Sequence, residues 1–410
     1  MKLHNLLYLL QLEEYDIKCF NEWLKNNPGR IVLEIKKQID WTMKAKLIFI
    51  LASFFDILTF KAIPKISLII AFYAIKPIDF LGKKIIVWRA KNKIKKIKNL
   101  VVIGITGSYG KTTTKDALFH ILNQKYKTLK TEGNYNTLLG ISKTIIKNLN
   151  KDHQIFICEI GAYQINDIKA VCDLIKPKIG IITAISQMHL ERFKSLENIF
   201  KAKMELIESL SQGGFGFIPQ EMERKLKEKK EWAELKIKAP IDYFSSKEEL
   251  AIKIGKIFEI NKEKTKEFLK TLPPTPHRQQ IIKTPLGITI IDDAYNSNPI
   301  GFKSALQALK NYPAKIKILA TPGMIELGDC QFELNRQAAI EAADIINFAI
   351  IIGETNKEAL CSGLKEKFGD QYGQKVFEVK NLEEAKTKLS QIAVPNSIVL
   401  LENDLPDHYF

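Results

Sequence analysis

The hydrophobic pattern of the chain changes near residue 99. From there on, short apolar runs alternate with stretches whose apolar residues recur at helical spacing. The apolar runs are LVVIGIT, IFICEIG, KIGIITAI, ITIIDDAY, IKILAT and FAIIIG. Parallel strands are buried on both faces and need helical crossovers between them. The alternation therefore predicts an α/β fold with mostly parallel sheets.

The first 98 residues follow a different pattern. Two strongly apolar runs, residues 46–60 and 66–75, are separated by KAIPK. Each is shorter than the roughly 20 residues of a spanning helix, and Asp56 interrupts the first. The runs predict apolar helices. A pair associated with a membrane and a helical hairpin buried within the protein are alternative interpretations.

A basic segment, residues 82–100, follows the two apolar runs. It contains eight Lys or Arg residues and no acidic residue. Beside apolar helices, such a segment favours the anionic inner face of a membrane, with Trp88 near the interface. A solvated linker is the alternative interpretation. Binding to nucleic acid is disfavoured because no recognisable nucleic-acid-binding fold surrounds the segment.

Composition restricts the class of protein. A chain of 410 residues with 46% hydrophobic and 26% charged residues is typical of a globular protein with two or three domains. The net charge of +16 indicates a negatively charged partner. The five cysteines form no C-x-x-C pair, which favours a reducing compartment. We find no pattern of a cleavable signal peptide and therefore expect a cytoplasmic location.

The most informative segment is VVIGITGSYGKTTTKDALFHIL, residues 101–122. It predicts a buried strand, a glycine turn and a helix whose free amides and dipole favour an anion. Gly107 and Gly110 would let the backbone approach a phosphate, Lys111 would reach the outer phosphates, and Thr112 could bind Mg²⁺. The general phosphate-loop pattern has glycine where this chain has Ile105, so an ordinary strand-to-helix turn is the alternative.

Two further residues follow predicted strands. Glu159 stands at the end of IFICE, and His189 comes just after IITAI. The carboxyl ends of parallel strands meet at one edge of a sheet, where ligands collect. A carboxylate and an imidazole there are candidate metal ligands, although a capping carboxylate and a surface histidine are the simpler interpretations.

A proline cluster and the change of pattern near residue 99 predict the domain boundaries. The proline cluster PPTPHR, residues 273–278, is typical of a hinge. We predict an atypical N-terminal region over residues 1–98, a central domain over 99–275 and a C-terminal domain over 276–410. The lysine-rich residues 225–239 predict a solvated helix.

From about residue 99 to 340 the chain resembles the Mur ligase family, and most of all those members that add D-alanyl-D-alanine to UDP-N-acetylmuramoyl tripeptide. The matching segments stand in family order: GITGSYGKTTTKD, TEGNYNTLLGIS, EIGAYQINDI, KPKIGIITAISQMHLERFKSLENIFKAKMELI, HR at 277–278, IIDDAYNSNP and GMIELGD. The combination of HLERF with DDAYNSNP is the part of the match that is most specific to this family. The family also uses the short G-x-x-G-K-T loop found here.

The resemblance implies a fold and an activity. The expected fold is a central sheet domain like that of phosphate-loop NTPases, followed by a Rossmann-like C-terminal domain. The expected activity is ATP-dependent formation of an amide bond in peptidoglycan precursor synthesis. ATP phosphorylates a peptide carboxylate, and an amine attacks the acyl phosphate. ATP and Mg²⁺ are the implied cofactors, and a nucleotide-linked muropeptide with a dipeptide or amino acid are the implied substrates.

The resemblance also implies roles for individual residues. The loop residues, Gly107, Ser108, Tyr109, Gly110, Lys111, Thr112 and Thr113, would hold the nucleotide phosphates. Thr112, Glu159, His189 and Lys203 would serve the metal ions, with Lys203 at the family position of a carbamylated lysine. Asn134 and Asn136 would approach the reacting end of the substrate. Arg278 would reach the nucleotide phosphates, and Asp293, Tyr295 and Asn296 would close over the nucleotide.

Four departures from the family pattern leave the substrates open. Residues 1–98 do not look like the usual domain that grips UDP. Thr137 and Asn335 replace a common asparagine and a common histidine, and the end LLENDLPDHYF is acidic where the usual end is basic. The alternatives are therefore a Mur-like ligase for a different amine and a different, membrane-linked carboxylate, or a nucleotide-binding scaffold without activity.

Overall fold

The computed structural model describes residues 2–34, 36–59, 63–133, 135–188, 190–223, 235–295 and 297–409. Contacts within the chain define two compact units. The first consists of Met1–Ile85, Gly353–Thr355 and Leu405–Phe410, and the second of Ile86–Ile352 and Asn356–Asp404. The domain boundaries proposed after residues 98 and 275 stay predictions. Most of the predicted solvated helix at 225–239 lies outside the described residues.

The first unit is built from helices, as the sequence predicted for this region. They are α1 (Leu3–Leu12), α2 (Ile17–Asn26), α3 (Met43–Leu58) and the beginning of α4 (Pro64–Ile94). The Asp16 carboxylate accepts hydrogen bonds from two amides at the start of α2, and the Thr42 hydroxyl caps α3. Apolar residues of all four helices form one core, which includes Leu7, Phe20 and Ile48.

The C-terminal tail belongs to this helical unit. The Asp407 carboxylate accepts a hydrogen bond from the Tyr8 hydroxyl at 2.5 Å and from the Lys36 amide at 3.1 Å. The Trp23 indole donates to the carbonyl of His408 at 2.9 Å. Burial and the Asp407 carboxylate raise the pKa of Tyr8, so its hydroxyl stays protonated and donates. Residues from both ends of the sequence therefore build one packed unit.

Helix α4 is longer than the hydrophobic pattern suggested. It continues through Pro77 and through most of the basic segment, where Lys and Arg, which are good helix formers, outnumber Gly82 and Asn92. Its last turns belong to the second unit, and Ala90 and Ile94 are part of that unit's apolar core. Among the described residues, we find no helix that has both the length and the apolar character needed to cross a membrane.

The second unit contains two sheets, and the first of these is entirely parallel. Its strand order is β2-β3-β1-β4-β5-β6. The strands are β1 (Val101–Thr106), β2 (Thr128–Lys130), β3 (Ile155–Glu159), β4 (Ile179–Ile182), β5 (Phe215–Pro219) and β6 (Ile241–Phe244). The helices are α5 (Lys111–Leu122), α6 (Leu138–Asn148), α7 (Asp167–Ile175), α8 (Leu190–Phe193), α9 (Leu196–Glu208), α10 (Lys247–Ile257) and α11 (Lys262–Lys270). One apolar core includes Phe156 and a separate one includes Ile157, because consecutive residues of a strand such as β3 point to opposite faces of the sheet.

The second sheet is mixed. Its order is β11-β10-β9-β12-β8-β7, and only the β7–β8 pair among its described strands is antiparallel. The strands are β7 (Gln280–Lys283), β8 (Thr289–Asp293), β9 (Ile316–Thr321), β10 (Phe348–Ile352), β11 (Val376–Val379) and β12 (Ser397–Glu402). The helices are α12 (Pro299–Asn311), α13 (Gln331–Ala343), α14 (Lys357–Phe368), α15 (Tyr372–Lys375) and α16 (Leu382–Ile392). The prediction of an α/β fold with mostly parallel sheets is confirmed.

The tail contacts predict a local stability effect. Asp407→Ala removes the buried carboxylate that accepts from both the Tyr8 hydroxyl and the Lys36 amide, although Tyr8 keeps the carbonyl of Lys37 as an acceptor. We expect the loss to cost about 1–3 kcal/mol. Amides of α1 and α2 should then exchange with deuterium about tenfold faster or more, while amides of β1 and β9 keep their rates. Asp370→Ala, at an exposed position, is the control. Unchanged exchange in α1 and α2 would show that the tail does not stabilise these helices.

Candidate functional site

The glycine turn after β1 has the backbone geometry of a phosphate loop. Gly107 has φ of 148° and Gly110 has φ of 81°, values that side-chain-bearing residues rarely adopt. A Cβ atom on Gly107 would lie 2.1 Å from the Thr183 hydroxyl oxygen, so this position has no room for a side chain. Helix α5 begins at Lys111, immediately after the turn. Its N-terminal amides therefore face the turn, as an anion site requires.

Hydrogen bonds hold the loop in place from the β4 side. The Ser108 hydroxyl donates to the carbonyl of Ser186 at 3.2 Å and accepts from its amide at 3.1 Å. The Thr183 hydroxyl donates to the carbonyl of Tyr109 at 2.5 Å. Thr113 donates to the carbonyl of Gly110 at 3.1 Å, and Thr112 is half-buried on the same helical turn. The loop is thus preorganised by the protein itself.

The Lys111 ammonium folds back over the loop. Its Nζ donates to the carbonyl oxygen of Gly107 at 2.7 Å. Burial lowers the pKa of Lys111, and the nearby Glu159 carboxylate opposes that shift. An anion seated on the loop would therefore gain a cation that is already positioned above it.

Glu159 ends β3 directly beside β1, where its register partner is Ile105. Its Oε2 lies 2.9 Å from Lys115 Nζ, and its Oε1 accepts from the Asn136 side-chain amide at 3.4 Å. Glu159 and Lys115 are both almost fully buried. The sequence analysis missed Lys115, although it stands one helical turn after Lys111 in KTTTK and therefore on the same face of α5.

Lys203 lies in the middle of α9 and is buried. Burial, together with the neighbouring positive charge of Lys111, lowers the pKa of Lys203 to about 7. Asp167 and Glu205 act in the opposite direction. A large fraction of Lys203 is therefore a neutral, nucleophilic amine near pH 7, which is the form that reacts with CO₂.

The part of the chain that carries the second sheet contacts the loop directly. The Gln279 side-chain amide donates to the Tyr109 hydroxyl at 2.9 Å, and the Tyr109 ring lies against Gly301. The Asn298 side-chain amide reaches the carbonyl oxygen of Ser108 at 3.5 Å. Gln279 was not singled out from the sequence, because only the fold brings it to a residue 170 positions away.

Three residues predicted at the nucleotide lie near these contacts. The Arg278 guanidinium carbon is 4.1 Å from the centre of the Tyr295 ring, a cation–π arrangement. Asp293 accepts hydrogen bonds from the amide and the side chain of Gln279, both at 3.3 Å. Burial raises the pKa of Asp293 to about 6, and the neighbouring Arg278 opposes this shift.

Some predicted site residues cannot be placed. Asn134, His189 and Asn296 lie outside the described residues. Among the residues that are described, no three His, Cys, Asp or Glu side chains form a cluster suited to a metal ion. The donor set that remains is the Thr112 hydroxyl and the buried Glu159 carboxylate next to a phosphate loop. Such oxygen donors suit Mg²⁺, which commonly takes one or two carboxylates together with substrate phosphates.

Comparison with known proteins agrees with this arrangement. A model of the Mur ligase middle domain matches residues 105–287, and a model of the Mur ligase glutamate ligase domain matches residues 277–402. The two matched ranges contain the phosphate loop and every described strand of both sheets except the first four residues of β1. The chain belongs to the Mur ligase family.

Individual relatives of this Mur ligase include several UDP-N-acetylmuramoyl-tripeptide--D-alanyl-D-alanine ligases and a UDP-N-acetylmuramoylalanine--D-glutamate ligase of Prochlorococcus marinus. The chain is 29% identical over 289 residues to a UDP-N-acetylmuramoyl-tripeptide--D-alanyl-D-alanine ligase of Bacillus subtilis, an enzyme called MurF. The alignment covers 62% of this chain and 63% of the relative, so the chain spans less than two thirds of that enzyme's length.

Solved MurF structures share the fold. A MurF crystal structure from Acinetobacter baumannii superposes with a TM-score of 0.67 at 22% identity, over 78% of this chain and 77% of the other. A MurF from Thermotoga maritima in complex with ADP also gives a TM-score of 0.67, at 21% identity, over 78% and 80% of the two chains. At these identities the likeness establishes the fold of this Mur ligase.

Asn335, the residue that departs from the family histidine, has a structural role in this Mur ligase. It is fully buried, and its side-chain oxygen accepts from the Met324 amide at 2.8 Å. Its amide donates to the carbonyls of Met324 and Gln331 at 2.9 and 2.8 Å. The Asn335 side-chain amide therefore holds the GMIELGD segment against α13 by hydrogen bonds.

Glu402 is a third residue that the sequence analysis did not single out, after Lys115 and Gln279. It ends β12, is buried, and accepts hydrogen bonds from the Ser297 hydroxyl and, at 3.1 Å, from the Thr321 hydroxyl. Burial raises the pKa of Glu402 to about 8, although both hydroxyls favour the charged form. The carboxyl ties the segment next to Tyr295 to the second sheet of the Mur ligase.

The raised pKa of Glu402 predicts a pH-dependent stability. Between about pH 4.5 and 8 the folded protein holds a proton that the unfolded chain has released, so stability falls as pH rises through this range. Glu402→Gln cannot titrate and should show a smaller loss. We would compare denaturant midpoints between pH 5 and 8.5, with the exposed Glu358→Gln as control. Parallel curves for wild type and Glu402→Gln would contradict the raised pKa.

Proposed function

We propose that this Mur ligase forms an amide bond at the expense of ATP, joining D-alanyl-D-alanine to UDP-N-acetylmuramoyl tripeptide. The observation that carries the proposal is the phosphate loop contacted from both sheets, by Ser186 on one side and by Gln279 and Asn298 on the other. The name of the Bacillus subtilis relative supports the choice of substrates. This relative and the fold of MurF agree with the segments 131–142 and 323–329 that resemble that branch.

The proposed chemistry has two steps. A carboxylate oxygen of the tripeptide attacks the γ-phosphorus of ATP, which gives an acyl phosphate and ADP. The amine of the dipeptide then attacks the acyl carbon, so that the C–N bond forms, the C–O bond to phosphate breaks and the amine loses a proton. Mg²⁺ would neutralise phosphate charge when bound. The protein contributes chiefly position and charge.

The loop residues would act on the nucleotide phosphates. The loop amides and the Lys111 ammonium would bind the β- and γ-phosphates, and the Arg278 guanidinium would approach from the second sheet's side. The Thr112 hydroxyl and the Glu159 carboxylate would hold the metal ion. Lys115 would balance the charge of Glu159 and fix its orientation from 2.9 Å away.

The remaining predicted residues would serve the acceptor and the adenosine. His189 and a carbamylated Lys203 would assist a second metal ion near the acceptor carboxylate. The lowered pKa of Lys203 supports the modification, because CO₂ adds to a neutral amine. Asn134 and Asn136 would contact the reacting end of the substrate, and Asp293, Tyr295 and Asn296 the nucleoside.

Closure around the loop would also exclude water, which destroys acyl phosphates. Tyr109 reaches from the loop to Gln279, and Asn298 reaches back to the loop. These contacts join the central and C-terminal sheets around the place where phosphate would lie. We propose that residues 99–275 and 276–410 form the two domains that close in this way.

A cytoplasmic location completes the proposal, because ATP and nucleotide-linked precursors are found there. The eight Lys and Arg of residues 82–100 support a position against the anionic inner face of the membrane. The helical first unit supports a second candidate function, in which the ligase modifies a different, membrane-linked carboxylate. Nucleic acid is not part of either proposal.

Substitutions in the loop test the mechanism. Lys111→Ala removes the cation above the phosphates, and we expect ligation to fall at least 100-fold in a folded protein. Glu159→Gln should do the same by removing the metal-binding charge. We prefer Gln to Ala because it keeps a polar partner next to buried Lys115. Lys147→Ala, on the exposed side of α6, is the control. Rates near wild type in either site variant would exclude this mechanism.

A substrate panel tests the reaction. We would measure phosphate release from ATP and Mg²⁺ with UDP-N-acetylmuramoyl tripeptide and D-alanyl-D-alanine, and identify the product by mass. We expect release only when both substrates are present, together with a pentapeptide product. D-alanine and other single amino acids serve as comparison amines. Release only with another amine would favour the second ligase, and no release with any pair would favour a scaffold.

A further inference from the structure

Helices α3 and α4 are apolar on two sides. Their inner sides supply Ala45, Ile48 and Ala52 of α3 and Leu68 and Ala71 of α4 to the core of the first unit. Their outer sides are also apolar but remain exposed. We call these exposed residues the outer stripes: Met43, Leu47, Ile50, Phe54, Ile57 and Leu58 on α3, and Ile66, Ile70, Tyr73, Ile78, Leu81 and Ile85 on α4.

The outer stripes have helical periodicity. On α3 the stripe residues are spaced by three or four positions from Met43 to Ile57, which places them along one side of the helix. Exposed fractions are high, for example 64% for Ile50, 66% for Ile57 and 63% for Ile78. Soluble proteins rarely leave such continuous apolar rows in water. The rows therefore indicate a surface that is covered in the cell.

The charges beside the outer stripes have one sign. In residues 43–59 and 63–85, the exposed charged side chains are all lysines: Lys46, Lys65, Lys76, Lys83 and Lys84. The two acids in this range are not exposed. Asp56 is buried, and Asp79 forms ion pairs with Lys44 at 3.2 Å and with Lys83 at 2.8 Å. The surface around the stripes is thus apolar and positively charged.

The lysines are arranged so that their charges can stay in water. Lys84 Nζ lies 4.4 Å from the centre of the Phe80 ring, and Lys76 Nζ lies 5.6 Å from that of Tyr73. Their aliphatic parts run along apolar surface and end in ammonium groups. Long basic side chains take this arrangement where an apolar surface meets lipid headgroups.

Charge decides between the partners that could cover this surface. A second copy of the chain would bring lysines against lysines and leave them unpaired. A bilayer that contains anionic lipids offers both acyl chains for the stripes and negative headgroups for the lysines. Since no described helix is suited to cross a membrane, the helices would lie in the plane of the interface.

We infer that the outer stripes of α3 and α4 insert into the surface of an anionic membrane and anchor this Mur ligase there. The inference deepens the proposed membrane contact of residues 44–100, which rested on two apolar runs and the basic residues 82–100, by assigning it to the exposed sides of α3 and α4. It concerns binding alone and does not depend on the ligase reaction.

Vesicle partitioning of the full chain tests the anchor. We would cosediment the protein with vesicles of phosphatidylcholine alone and with vesicles that also contain phosphatidylglycerol. About 30% of this anionic lipid gives the vesicle a strong negative surface potential. We expect binding to the anionic vesicles, and about tenfold weaker binding to the neutral ones. We expect part of the binding to survive 0.5 M salt. Salt screens the charge attraction, with a Debye length that falls to roughly 3 Å at 1 M, but it does not prevent insertion of apolar side chains.

Matched variants identify the surface. Ile50→Glu with Ile78→Glu should lower partitioning at least tenfold, because each change puts a charge into the apolar stripe. Leu286→Glu with Val394→Glu makes the same change at two exposed apolar positions of the second unit and should leave partitioning unchanged. Circular dichroism would check that both variants are folded.

Three outcomes would overturn the inference. Complete loss of binding in 0.5 M salt would mean that charge alone holds the protein at the vesicle. Equal loss in both double variants would mean that the stripes are not the binding surface. Absence of vesicle binding, together with self-association in sedimentation velocity that Ile50→Glu with Ile78→Glu abolishes, would identify a second copy as the partner.

Discussion

The position of β1 between β3 and β4 is the constraint on which the site depends. The chain leaves β1 toward β2 and β3 on one side and later returns to form β4 on the other. At such a reversal, the loops at the carboxyl ends of neighbouring strands separate and leave a crevice. The phosphate loop after β1 therefore lies between Glu159, which ends β3, and Thr183, which follows β4.

Buried charge is the second organising feature of the molecule. Lys115 and Glu159 lose hydration together, and their close contact offsets part of that cost. Lys203 and Glu402 have no opposite charge at salt-bridge distance among the described residues, and burial shifts the pKa of each toward its neutral form. Buried ionisable groups of this kind lower the stability of the protein, and they concentrate at functional sites.

Much of this could be predicted from the sequence because it is encoded locally. The strand, two glycines and helix start at residues 101–122 specify the phosphate loop, and six apolar runs correctly located strands. What could not be predicted depends on distant contacts. Gln279 acquires its role only beside Tyr109, and Asp407 only beside Tyr8. The length of α4 was underestimated because its hydrophobic pattern ends before the helix does.

The placement of the tail has a consequence for synthesis. Lys36 and Asp407 are 371 positions apart, so the helical unit lacks part of its packing until residue 407 has left the ribosome. At about 5–20 residues per second, this interval lasts roughly 20–70 s. The outer stripes of α3 and α4 are exposed even in the folded protein, so they are also available to an apolar surface during this interval. A nascent chain could reach its final surroundings before it completes its fold.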